Sequence, residues 1–121
     1  MAIKRNSTAV LEIEIGFPLA NIKKIGFIFK KENKSYYPEL LHKEYTADEI
    51  DIDEKSENID NGFIMLMKLE PKETFKLTEG VIYMDTQIVS TNGSIIPTEI
   101  ECIKDIKETL FSEVYHDQSQ S

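Results

Sequence analysis

Two histidines, one cysteine, a run of carboxylates and a few tyrosines are the side chains here whose chemistry could reach beyond packing. A metal site needs several ligands converging on one point. His42 has no second ligand at metal-binding spacing, and His116 lies in the C-terminal tail. Neither reads as the base of a nucleophile, because Ser and Thr fall in turns with no glycine-framed elbow. Both histidines therefore read as structural or surface groups. The acids Asp48, Glu49, Asp51, Asp53, Glu54, Glu57 and Asp60 invite a calcium test. An EF-hand loop beginning at Asp51 would need Gly at its sixth position and Glu at its twelfth, where Ser56 and Gly62 stand. The match fails. An irregular carboxylate site stays open beside the plainer reading, a charged edge that blocks strand-to-strand aggregation. Carboxylate pairs suited to glycoside hydrolysis occur in any acidic β protein and carry no specificity. Tyr36, Tyr37 and Tyr45, with Tyr83, are a candidate binding surface for a sugar or a partner, but without tryptophan or a basic stripe core or rim packing is the favoured reading. No catalytic residue, metal ligand or cofactor is assigned, and the chain reads as non-enzymatic.

Composition limits the partners. At 121 residues, with 40% hydrophobic and 30% charged residues, the chain is long enough for one packed domain without staples. A net charge of -8 argues against a nucleic-acid surface, which needs clustered cations. Residues 1–34 hold seven basic groups against three acids, and the remainder seven lysines against nineteen acids. Such polarity could align neighbouring subunits, or simply solvate opposite edges. Cys102 cannot form an internal disulfide and is expected as a small buried hydrophobe. Glu12 and Glu14 interrupt the first apolar run, so neither a signal peptide nor a membrane insertion is expected.

The elements follow from alternation. Residues 1–8 read as an extended N-terminal arm, residues 9–104 as the β domain, and residues 105–121 as an amphipathic segment and tail. Val10 to Ile15 puts Leu11, Ile13 and Ile15 on one face, and Ile22 to Lys31 does the same with Ile25, Phe27 and Phe29. Ser35 to Tyr45 is apolar on both parities, and Pro38 marks it as an edge. Ile50 and Ile52 suggest a short strand, and Phe63 to Leu69 a central one. Pro71 suits the first position of a helical turn, with Phe75 plugging the core below it.

The strongest local signal is Asn92-Gly93 between two β-branched runs. A three-residue loop, Thr91 to Gly93 with Gly93 left-handed, sets Thr86 opposite Thr98 and Met84 opposite Ile100, so that Ile82, Ile88, Ile96 and Cys102 share their face. A two-residue loop would instead bring Met84 opposite Glu101. Burial favours the former. From residue 105 the period changes: Ile106, Leu110 and Val114, with Phe111 and Tyr115 beside them, suggest a short helix whose stripe either covers one open end of the sandwich or is a candidate interface. The whole predicts an all-β fold, an antiparallel sandwich of about seven strands with a short C-terminal helix, ahead of a small barrel.

These features resemble small immunoglobulin-like proteins of phage and prophage tails from low-GC Gram-positive bacteria, and the N-terminal domain of baseplate upper proteins. The resemblance spans about residues 7–104. It rests on VLEIEI, on Asn21-Ile22-Lys23-Lys24-Ile25 leading into FIF, on the corner from Leu69 to Phe75, and on Gly80-Val81-Ile82-Tyr83 leading to the Asn92-Gly93 turn. It implies an immunoglobulin-like sandwich acting as a structural tail or baseplate-associated protein. Its partners would be copies of itself or other tail proteins, in the virion tail or, during assembly, in the host cytoplasm. Unlike baseplate upper proteins, the chain is not expected to carry a receptor-binding attachment region, which favours a minor tail or virion-assembly role over a baseplate one. A carbohydrate- or cell-wall-binding sandwich is the alternative expectation.

Overall fold

The computed structural model describes residues 2–54 and 61–111 of the chain. Among them the strands are β1 (Ala2–Lys4), β2 (Ala9–Ile15), β3 (Ile22–Lys30), β4 (Glu39–Thr46), β5 (Asp51–Ile52), β6 (Phe63–Leu69), β7 (Gly80–Ser90), β8 (Ile95–Pro97) and β9 (Glu101–Lys107). One helical turn, α1 (Pro71–Thr74), precedes β7. Alternation in sequence becomes alternation in burial, because successive strand residues point to opposite faces. Leu11, Ile13 and Ile15 are buried while Glu12 and Glu14 are exposed, and Ile25, Phe27 and Phe29 are wholly enclosed.

The strands form two sheets. The larger runs β1-β9-β7-β3-β4, with β8 also paired to β7, and the smaller runs β2-β6-β5. All pairings are antiparallel except β1 on β9, which is parallel. This is an immunoglobulin-like order: β2, β6 and β5 take the places of strands B, E and D, and β9, β7, β3 and β4 those of G, F, C and C′. The inner faces of both sheets contribute to a single apolar core, with Met65, Met67 and Leu69 of β6 facing the enclosed side chains of β3 and β7. The cystine and tryptophan that cross the core of antibody domains have no counterpart, since the only cysteine is exposed and tryptophan is absent.

The hairpin closes in the expected register, with Ile88 opposite Ile96 and Gln87 opposite Pro97. Gly93 adopts a φ of +88°, its N–H donates to Ser90 O at 2.9 Å, and Ser90 N–H donates to Ser94 O at 2.9 Å. Asn92 Oδ1 accepts from Ser94 N–H at 3.0 Å, which holds the loop from inside.

Four expectations need correction. First, the hairpin register does not persist. One extra residue between Pro97 and Glu101 leaves Met84 opposite Glu101 and Tyr83 opposite Cys102. Cys102 is consequently exposed rather than a core hydrophobe, and Ile100 is also exposed. Second, the segment from residue 105 is strand through Lys107, and residues 108–111 are not helical. The cause is a β-bulge: Ile82 pairs with Ile103 and Gly80 with Ile106, so two residues of β9 oppose Val81 alone. The bulge turns Ile103 and Ile106 to one side although they are three apart, a spacing that mimics a helix. Third, the N-terminal arm is not detached from the sheet. Ile3 is buried and β1 pairs with residues 105–107. Fourth, Leu77 rather than Phe75 is enclosed beneath the core, and Phe75 instead lies under the Arg5 guanidinium, 4.7 Å from ring centroid to Cζ.

Candidate interaction surface

The outer face of the larger sheet is built by the residues of β3, β4 and β7 that alternate with the core set. Gly26 lies at its centre, opposite Glu44 on one side and Gln87 on the other. Lacking a side chain there, the sheet dips into a groove of about 380 Å³ lined by Ile28, Val89 and Ile95 and walled by His42, Glu44 and Asp85. A methyl group at Gly26 would meet Glu44 Cγ at 3.7 Å, an ordinary contact, so the dip is a feature of shape and not a steric necessity. His42 lies between Glu39, 3.6 Å from Nδ1, and Glu44, 3.7 Å from Nε2. Lys24 stands 3.9 Å from the same Glu44 carboxylate. These are loose, solvated pairs that give the face mixed charge and little energy.

The candidate tyrosines divide. Tyr36 and Tyr37 lie together on the loop between β3 and β4, their rings 5.4 Å apart and tilted by 40°, and both are exposed. Tyr45 packs edge-on against Phe27 at 6.1 Å and is half-buried. Burial raises its hydroxyl pKa, against the opposing pull of Lys43. Just before Tyr36 and Tyr37 in sequence, Asn33 and Ser35 line a hollow of about 190 Å³ together with Lys30, Tyr83 and Asp85. Tyr83 is thus closer to a binding surface than Tyr45, because β7 carries it on the outward parity.

The candidate terminal stripe also divides. Ile106 is part of the core, whereas Leu110 and Phe111 are exposed. Val114, Tyr115 and His116 lie outside the described residues. In the acidic segment, Lys55 to Asp60 likewise fall outside them. Asp48 and Glu49 fold back on Thr46, whose hydroxyl donates to Asp48 Oδ1 at 2.5 Å and whose N–H donates to Glu49 Oε1 at 2.8 Å. The Thr46 hydroxyl lowers the pKa of Asp48, and the Thr46 backbone N–H lowers that of Glu49. Both carboxylates thus act as caps of a local turn. Among the described residues, no three His, Cys, Asp or Glu side chains converge as a metal site would require.

Two clamps hold the surface in place, and neither was legible in the sequence. Arg5, the only arginine, donates from Nε to Leu77 O and from Nη2 to Phe75 O, each at 2.7 Å, and its third nitrogen pairs with Glu108. Lys43 of β4 reaches Glu73 of α1 at 2.7 Å, and both side chains are more than four-fifths buried (17% and 15% exposed). Burial opposes the charge on each. The Glu73 bond nonetheless raises the Lys43 pKa, while the Glu70 backbone N–H and Lys43 lower that of Glu73.

Comparison with known proteins returns no match, either to a protein-family model or to a characterised protein sequence. No helix among the described residues is long and apolar enough to cross a membrane.

Proposed function

We propose that the chain is a structural, non-enzymatic interaction module of a phage or prophage tail or baseplate. It would act by protein–protein assembly with copies of itself or with neighbouring tail proteins. The observation that carries this reading is the outer face of the larger sheet. It combines an immunoglobulin-like strand order with a central groove, exposed Ile95 and a ring of weakly paired charges. Contact surfaces of non-obligate complexes have this apolar centre and polar rim. The resemblance of the strands and corners to tail proteins supports the setting. Sedimentation velocity of the full chain, alone and mixed with the products of neighbouring genes, tests it. Assembly should be lost when Gly26→Ala and Ile95→Lys are combined, with the melting temperature nearly unchanged. A chain that stays monomeric and binds none of those products would overturn the proposal.

A second reading follows from the exposed Tyr36–Tyr37 pair, on the same loop as Asn33 and Ser35 of the hollow that also bears Tyr83 and Asp85: carbohydrate or cell-wall recognition. Aromatic faces can stack on a sugar while amide and carboxylate groups bond its hydroxyls. NMR titration with cell-wall glycan fragments should then shift residues 33–37, 83 and 85. Silence at those positions would reject it.

A further inference from the structure

The smaller sheet is incomplete in a way the larger one is not. Its strand β2 pairs with β6 over all seven residues, from Ala9 opposite Leu69 to Ile15 opposite Phe63. Among the described residues no strand pairs with its other edge, where immunoglobulin sandwiches carry strand A. The N-terminal strand is committed instead to the other sheet, where β1 lies on residues 105–107 of β9. Among the described residues, 101–104 of β9 have no strand paired on that side. Two strand edges therefore face one another across an opening.

The register of β9 shows how open it is. Directly opposed residues of an antiparallel pair share a face. Glu101 lies opposite Met84, which is buried, so Glu101 is on the inner side of the larger sheet. It is nevertheless exposed. A glutamate on the core side of a sandwich stays in water only where no strand covers it. Two hollows of about 300 and 320 Å³ occupy this opening, adjoining at Ile13 and Glu101, with Leu11 and Ile13 on the β2 side and Met84, Thr86 and Ile88 behind. The charged residues lining them are Glu12, Glu14, Glu99, Glu101 and Asp105 against a single base, Lys104.

We infer that this opening accepts an extended strand of another protein, laid along the edge of β2, with apolar residues alternating with lysine or arginine. Main-chain hydrogen bonds to the edge would supply most of the affinity, as in other cases of strand addition, because the apolar floor is already nearly covered. The apolar residues of the guest turn inward over Ile13 and Ile88, and its basic residues meet the carboxylate rim. Charge selects the guest. The chain's own C-terminal stretch, with Glu108, Glu113 and Asp117, has the wrong sign for this rim. The inference rests on reading the chain as a protein-interaction module and specifies a second surface for it, remote from the groove over Gly26.

The test uses the full chain, isotopically labelled, and synthetic peptides that alternate isoleucine with lysine. Saturable binding should shift the amides of residues 9–15 and 96–105, and weaken as salt is raised. Combining the exposed substitutions Glu14→Lys, Glu99→Lys and Glu101→Lys should weaken it by about tenfold or more, at a few-fold per reversed charge. Of two peptides with proline at alternate positions, in one parity or the other, the one whose prolines fall at the residues facing β2 should not bind, since it cannot donate to the edge. Failure of the lysine peptide to bind, shifts confined to other surfaces, or equal binding of a glutamate analogue would each overturn the inference. So would tighter binding of a peptide copying residues 108–116, which would make the guest a second copy of the chain. Peptide binding and assembly through the Gly26 face are read separately, so the loss of one leaves the other standing.

Discussion

Removing the Arg5 guanidinium should loosen the whole lower end of the sandwich. Arg5 is about one-fifth exposed and makes two 2.7 Å bonds to the carbonyls of Phe75 and Leu77. Hydrogen bonds from a charged donor contribute about 1.5–3 kcal/mol each. Part of that is recovered when the freed carbonyls are hydrated. Its position 4.7 Å over the Phe75 ring adds about 0.5–1 kcal/mol at a partly exposed site. The pairing with Glu108 is solvated and is left out of the sum. Arg5→Ala should therefore cost about 3 kcal/mol. For a chain of this size that corresponds to a fall of roughly 10–15 °C in melting temperature. Urea unfolding measures the free energy, and hydrogen exchange locates the effect: protection should fall first at residues 2–4 and at their partners 105–107. Arg5→Lys keeps the charge but cannot reach both carbonyls from one planar fork. It should recover less than half of the loss. A cost below about 1 kcal/mol for Arg5→Ala, or full recovery with lysine, would refute the view that geometry rather than charge makes this clamp.

Other perturbations read other parts of the fold. Glu73→Gln should cost about 1–3 kcal/mol, between the values for exposed and buried pairs, because it leaves Lys43 without its counter-charge. The same pair sets an acid limit. The Glu73 pKa is held below its ordinary value of 4.5, so its contribution is complete above that value and is lost as pH falls through the folded-state pKa. Denaturant titrations from pH 6 to pH 3 should therefore show a shallower decline for Glu73→Gln than for the parent, and parallel curves would count against the pair. Gly93→Val places a β-branched side chain at a φ of +88° and should lower stability by about 1–2 kcal/mol, read as a shift in the thermal transition. Thr74→Val removes a buried hydroxyl that donates to Ser7 O at 2.8 Å and accepts from Ser7 N–H at 3.0 Å. The expected loss is about 1–3 kcal/mol in urea unfolding, with faster exchange at the Ser7 amide.

The candidate surfaces were legible unevenly. Tyr36 and Tyr37 stood out by type, but the edge segment expected over Ser35 to Tyr45 becomes a strand only at Glu39, so Pro38 leaves both rings exposed on the preceding loop. Tyr45 looked the same in sequence, yet it is half-buried against Phe27, because on an edge strand of mixed parity no pattern separates inside from outside. The groove over Gly26 gave no signal. A glycine within a strand marks the place only when the neighbours on both sides are known. The acceptor edge of β2 was hidden for the same reason: VLEIEI looks identical whether it lies inside a sheet or at its border.

Alternation alone decided which side chains of β2, β3 and β7 turn inward, since the pleat has a period of two and one misplaced residue would put a charge in the core. The Asn92-Gly93 pair decided where the chain reverses, because few residues tolerate that backbone geometry. Only the tertiary structure decided that residues 2–4 join β9, that two extra residues shift the register after Pro97, that Cys102 meets water, and that Glu101, expected on the outer face, lies on the inner side opposite Met84. These are outcomes of competition between segments distant in sequence for the same edge and the same core space. Each segment satisfies its own local preferences in several arrangements, and only the shared burial of both sheets selects among them.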